Sequence, residues 1–76
     1  MQTPTPLDLV REIRAEMGRQ GLTAASLARA TDITPPTLSR RFSSPDDLTL
    51  GELDRIAAAL GVSVADFMRR AEQVAA

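Results

Sequence analysis

Five times along the 76-residue chain, an apolar residue or a proline precedes a Ser or Thr, and another apolar residue follows that Ser or Thr four positions on. This is the pattern of a helix N-cap with its hydrophobic staple: the side-chain oxygen accepts from an otherwise orphaned N–H, and the apolar pair fixes the angle of entry. It predicts five short helices, beginning after Thr5, Thr23, Thr34, Thr49 and Ser63. In the first, Pro6 takes the opening position and Asp8 lies in the first turn, where the helix dipole favours an anion. Its apolar stripe is Leu9 or Val10, then Ile13 and Met17, while Arg11, Glu12, Arg14 and Glu16 are assigned to water. It should run to about Gln20, with Gly18 and Gly21 loosening its end and Gly21 as the stop.

Leu22, Thr23 and Leu27 start the second helix, which should run through about Ala30. Its residues Ala24, Ala25, Ala28 and Ala30 are small, so another helix can come close. Thr31-Asp32 then interrupts the pattern, and Asp tolerates the left-handed conformation that a tight helix–helix joint requires. Ile33, Thr34 and Leu38 start the third helix, with Pro35 and Pro36 in its first turn, where the missing N–H groups cost no intrahelical bond. Leu38 and Phe42 form its buried stripe, leaving Thr37, Arg40 and Arg41 to other faces. Residues 43–47 read as a loop. Thr49-x-x-Glu52 is a full capping box between Leu48 and Leu53. That fourth helix should bury Leu53, Ile56, Ala57 and Leu60 and stop at Gly61. The fifth begins at Val62-Ser63 with Asp66 as a shorter box partner. Its apolar side (Val64, Phe67, Met68, Ala71, Val74) is wider than a terminal helix needs, which makes Val64, Met68, Ala71 and Val74 a candidate dimer interface; the alternative is that they only close the core.

Composition narrows this picture. A chain of this length buries only ~60% of its unfolded surface, so one small core and one domain over residues 1–76 are expected, with a short flexible N-terminus at 1–5. Phe42 and Phe67 are its two aromatic residues, and the rest of the core must come from Leu, Ile, Val, Met and Ala, which favours an all-α fold. There is no cysteine and no histidine, hence no thiol nucleophile and no imidazole for metal binding or for proton transfer near neutral pH. No enzyme, cofactor, metal or small-molecule substrate is expected. Carboxylates such as Asp46, Asp47, Glu52 and Asp54 cluster near helix starts, where capping explains them. No apolar run approaches ~18 residues and the N-terminus lacks the segments of a signal peptide, so a cytoplasmic protein without a membrane partner is expected.

The net charge of −1 conceals an asymmetry. From Arg11 to Ser44, six arginines face three acids; from Pro45 to Ala76, three arginines face six acids. A mildly basic half is thus joined to an acidic one. Solvated charge on a small helical protein would also look like this. Every cation is arginine, the planar donor suited to bidentate recognition, although a GC-rich coding bias would have the same result.

Two short helices joined by a tight turn over about residues 23–42, with alanines at the close contact and adjacent arginines on the second, describe a helix-turn-helix. Leu27-Ala28, Ile33-Thr34, Thr37-Leu38-Ser39-Arg40, then Leu53 and Ile56-Ala57 with Leu60-Gly61-Val62-Ser63, resemble the Cro and repressor type (lambda repressor-like, XRE) family of DNA-binding domains over roughly Val10 to Met68. The resemblance implies a compact five-helix domain whose second and third helices form the reading unit, with the third in the major groove of double-stranded DNA. It puts the base-reading positions on Thr34, Pro35, Pro36 and Arg40, with Thr37 as a further candidate. Arg40 would be bidentate to guanine, and the prolines could offer only apolar contact, for instance to a thymine methyl.

Where the family commonly has Gln at the start of the second helix, this chain has Ala24. Phosphate contact there falls to the free N–H groups at the Thr23–Ala24 helix end. Arg41, at a position usually apolar, becomes a phosphate candidate together with Ser43, Ser44 and Arg29, and more weakly Arg11, Arg14 and Arg19. The expected function is a nucleoid-associated transcriptional repressor that occludes its operator, by size closest to a phage Cro. Binding should weaken steeply with salt, and a homodimer on a palindromic site is expected. The competing expectation is an antitoxin-like or scaffold interaction module on the same frame.

Overall fold

The computed structural model describes residues 3–75. Five helices follow one another: α1 (Pro6–Gln20), α2 (Ala24–Thr31), α3 (Pro35–Ser43), α4 (Leu50–Leu60) and α5 (Val64–Ala75), with one 3-10 turn at Pro45–Asp47 between α3 and α4. Of the expected flexible N-terminus, Met1 and Gln2 lie outside the described residues. Pro4 is buried, and Thr5 caps α1.

The caps explain the boundaries. Thr5 accepts from the Asp8 N–H while the Asp8 carboxylate accepts from the Thr5 N–H, a reciprocal box that also holds Asp8 below the usual carboxylate range. Thr49 and Glu52 repeat it on α4. Gly21 and Gly61, at φ 67° and 71°, end α1 and α4 in the left-handed region that a side chain resists. Gly18 remains inside α1 rather than loosening it. Ser63 accepts from the Asp66 N–H. The Asp66 carboxylate does not close that box, being paired instead with Arg69 and Arg70.

Ile13, Leu27, Leu38, Ile56 and Phe67 form the dry centre, one from each helix. α1 lies along α5, and α2 packs on both α3 and α4. Two of the sequence expectations change here. Glu16 does not face water: its carboxylate receives Arg70 at 2.7 Å, Gln20 at 2.9 Å and Arg19 at 3.1 Å. Those donors, Gln20 first, pull its pKa down to about 2. Gln20 also donates to the Leu60 carbonyl at 2.7 Å, tying the end of α1 to the end of α4. Ala71, placed on the dimer face from the sequence, is only 1% exposed and belongs to the core. Val64 and Met68 are half-buried, so Val74 is the one residue of that set that stands fully in solvent, at 71% exposed.

Candidate nucleic-acid interface

The α2–α3 joint depends on a few residues. Asp32 ends α2 at φ 58°, the only non-glycine described residue with positive φ. This reversal lets the chain turn from α2 into α3 within three residues. Thr31, which the sequence suggests as an interruption, is the last residue of α2 and is buried. It can be buried because its hydroxyl donates back to the Leu27 and Ala28 carbonyls, at 2.8 and 3.2 Å. Arg55 of α4 then donates to the Thr31 carbonyl at 3.3 Å, so α4 satisfies the end of α2 and props the joint from behind.

With Leu38 and Phe42 turned inward, helical periodicity leaves Pro35, Pro36, Ser39, Arg40 and Ser43 exposed along one side of α3, with Thr34 exposed just ahead of it. Thr34 has the extended backbone that a following proline imposes. Its hydroxyl makes no cap bond, contrary to the sequence expectation; it donates to the Thr37 hydroxyl at 2.9 Å. The Arg40 Nη2 donates to the same Thr37 oxygen at 3.3 Å.

Two clefts flank this helix. One, of about 210 Å³, is lined by Arg14, Met17, Ala24, Ser39 and Phe42, so α1, the start of α2 and α3 converge there. Arg14 lies over the Phe42 ring, 5.1 Å from its centroid. The Thr23 hydroxyl accepts from the Ser26 N–H at 3.1 Å, leaving the first amides of α2, at Ala24 and Ala25, with no intrahelical acceptor at the rim. Ser39 belongs to the sequence reading only as part of the Thr37-Leu38-Ser39-Arg40 pattern; its place beside Arg14 and Ala24 comes from the packing of the helices. The other cleft, of about 330 Å³, lies across the joint between Arg29, Asp32, Thr34 and Pro35.

Arg41 is held differently from Arg40. Its Nε donates to both Glu52 oxygens, at 2.9 and 3.2 Å, and its side chain is 24% exposed. The Thr49 N–H chiefly, and then Arg41, hold the Glu52 carboxyl below its ordinary value against the opposing effect of burial. Glu52 therefore compensates the charge of Arg41. Ser43 and Ser44 are exposed, as are Asp46 and Asp47 just after them, which bring negative charge to that end of α3. Ser43 is the last residue of the helix rather than loop, and the Ser44 N–H closes α3 on the Arg40 carbonyl.

Among the described residues the arginines divide by partner. Arg19, Arg41, Arg69 and Arg70 are paired with Glu16, Glu52 and Asp66. Arg11, Arg14, Arg29 and Arg40, on the first three helices, and Arg55, on α4, have no carboxylate partner within 4 Å, Arg55 donating instead to the Thr31 carbonyl. Carboxylates of α1, α4 and α5 thus consume Arg19, Arg41 and α5's own arginines, and apart from Arg55, which serves the end of α2, the unpaired arginines lie on α1–α3.

A profile of the HTH_3 family, described as helix-turn-helix, matches residues 10–67, from within α1 through the joint to the first turn of α5. The chain belongs to this helix-turn-helix family. The HTH_3 assignment is to an XRE-type, Cro/C1-like domain, a family of DNA-binding regulators, and it supports double-stranded DNA as the ligand class. No curated protein and no solved structure gave a significant match. Among the described residues, no helix is long and apolar enough to cross a membrane.

Proposed function

We propose that the chain is a sequence-specific transcriptional repressor that acts in the manner of a phage Cro, occupying an operator that overlaps a promoter. The observation that carries this reading is the outward face of α3, where Arg40 stands exposed without a carboxylate partner while neighbouring Arg41 is neutralised by Glu52. In this reading α3 lies in the major groove, Arg40 donates to guanine O6 and N7, and Pro35 and Pro36 press on apolar base edges. The Ala24 and Ala25 amides, Arg14, Arg29, Ser43 and Ser44 hold phosphates and set the register of the helix. Arg41 reaches phosphate only through its terminal nitrogens, since its Nε is committed to Glu52.

A reader of this size covers few base pairs, which favours a homodimer on a palindrome with half-sites about one helical turn apart. Val74 and the half-buried Met68 of α5 are the residues we assign to self-association. An interaction-module function draws support from a different feature: an uncharged cleft of about 270 Å³ among Pro6, Leu9, Leu48 and Met68, beside a Leu50 that is 74% exposed. Selection from random duplexes at low salt, followed by footprinting, separates the two. Repression predicts enrichment of a palindrome protected over both half-sites. Absence of DNA binding even at low salt would transfer the function to the interaction surface.

A further inference from the structure

We infer that Thr37 is a positioning residue for Arg40, supported by Thr34, so that base discrimination at Arg40 depends on a hydroxyl that acts through the arginine. The inference rests on the reading of α3 as the base-contacting helix and adds to it how that contact is selected.

Thr34, Thr37 and Arg40 are spaced three apart, which aligns them on one side of α3. The Thr37 oxygen receives two hydrogens, one from the Thr34 hydroxyl at 2.9 Å and one from the Arg40 Nη2 at 3.3 Å. A hydroxyl oxygen has two acceptor sites, so both are filled, and what Thr37 has left to offer is its own O–H. Arg40 makes no other hydrogen bond, so with one Nη2 hydrogen committed to Thr37 a parallel pair of its N–H groups remains for a bidentate contact. Pro35 and Pro36 carry neither a side-chain donor nor a side-chain acceptor. Pro35, Pro36, Thr37 and Arg40 therefore present donors and apolar surface and no open side-chain acceptor of their own, the exposed hydroxyls of Thr34 and Ser39 being the acceptors left on that side of α3. Such a set fits the two acceptors of guanine and rejects the exocyclic amino groups of cytosine and adenine, which would meet a donor.

The tether also restrains a long side chain before DNA arrives. Ordering a free arginine on binding costs affinity, and a side chain already anchored at one nitrogen loses less. Removing the anchor should weaken the preferred duplex about 3- to 10-fold and leave random DNA nearly untouched.

The test compares the selected duplex, the same duplex with the half-site guanine replaced by adenine, and a random duplex, each titrated by fluorescence polarisation. Thr37→Val keeps the shape of the side chain and removes the hydroxyl; Thr37→Ser keeps the hydroxyl. The inference predicts that Thr37→Val lowers the guanine-over-adenine ratio about 3- to 10-fold, that Thr37→Ser restores it, and that Thr37→Val has no further effect on the ratio in an Arg40→Ala background. Thr34→Val should act in the same direction by a smaller factor. An unchanged ratio in Thr37→Val overturns the inference, as does an equal loss on all three duplexes. So does a full Thr37→Val effect in the Arg40→Ala background, which would mean that Thr37 reads a base itself. A wild-type protein that binds DNA but prefers no duplex overturns the base-reading assignment of α3, and this inference with it.

Discussion

The division of arginines into paired and unpaired sets predicts how binding responds to salt. Each phosphate neutralised by a free cation releases counterions, and log K falls with log salt at a slope of about −0.9 per contact on B-form DNA. Of the four arginines on α1–α3 without a carboxylate partner, Arg40 is assigned to a base and Arg11, Arg14 and Arg29 are left for phosphate, so a slope of roughly −2.7 per subunit is the upper expectation. Raising salt from about 50 to about 200 mM should then weaken binding by roughly 40-fold. Polarisation titrations of a random duplex across that range measure the slope directly. Arg29→Ala should flatten it by about 0.9, whereas Arg69→Ala, which removes a cation already paired with Asp66 at 2.9 Å, should leave it unchanged. Glu52→Gln keeps a capping group for Thr49 but frees Arg41, and should steepen the slope by up to about 0.9. Equal flattening by Arg29→Ala and Arg69→Ala would refute the reasoning, because pairing would then have no bearing on which charges meet the duplex.

Two further expectations concern the frame. Asp32→Val should cost about 1–2 kcal/mol, measured by urea denaturation, because a β-branched residue resists the φ of 58° at the joint, while Asp32→Gly should be tolerated. Glu16, with its pKa drawn down to about 2, contributes stability that is fully present above its unfolded value of about 4.5 and is lost as pH falls through that window. The melting temperature of the wild type should fall steeply between about pH 5 and pH 2, and Glu16→Gln should flatten that fall.

Much of the fold was legible because its signals are local. Thr5, Thr23, Thr49 and Ser63 cap helices through residues three or four away, Gly21 and Gly61 supply their own backbone freedom, and the stripes of α1 and α4 follow helical spacing. What stayed hidden depends on how helices meet. Arg70 reaches Glu16 across 54 positions, Gln20 reaches the Leu60 carbonyl across 40, and Arg41 reaches Glu52 around the α3–α4 connection. No spacing rule anticipates these pairs. Likewise periodicity gave α5 an apolar side but could not say that α1 would cover Ala71 and leave Val74 out. For the candidate interface, the sequence pointed to Arg40 and Thr37 as separate contacts. The hydrogen bonds that join them to Thr34 depend on rotamers, and Thr34 was expected to spend its hydroxyl on the cap. Ser39 entered as a candidate, and Arg14 moved up from a weaker phosphate candidate, only once α1 and α3 were placed together around Phe42.

The central claim is that α3 reads bases through Arg40, and the most direct measurement compares wild type with Arg40→Ala on the selected duplex and on a random one at a single salt concentration. A bidentate arginine–guanine contact is worth about 1–3 kcal/mol of discrimination. The ratio of specific to random affinity should therefore fall by about 5- to 150-fold in Arg40→Ala, beyond any loss common to both duplexes. If the two duplexes weaken by the same factor, Arg40 is a phosphate contact and α3 does not read sequence through it.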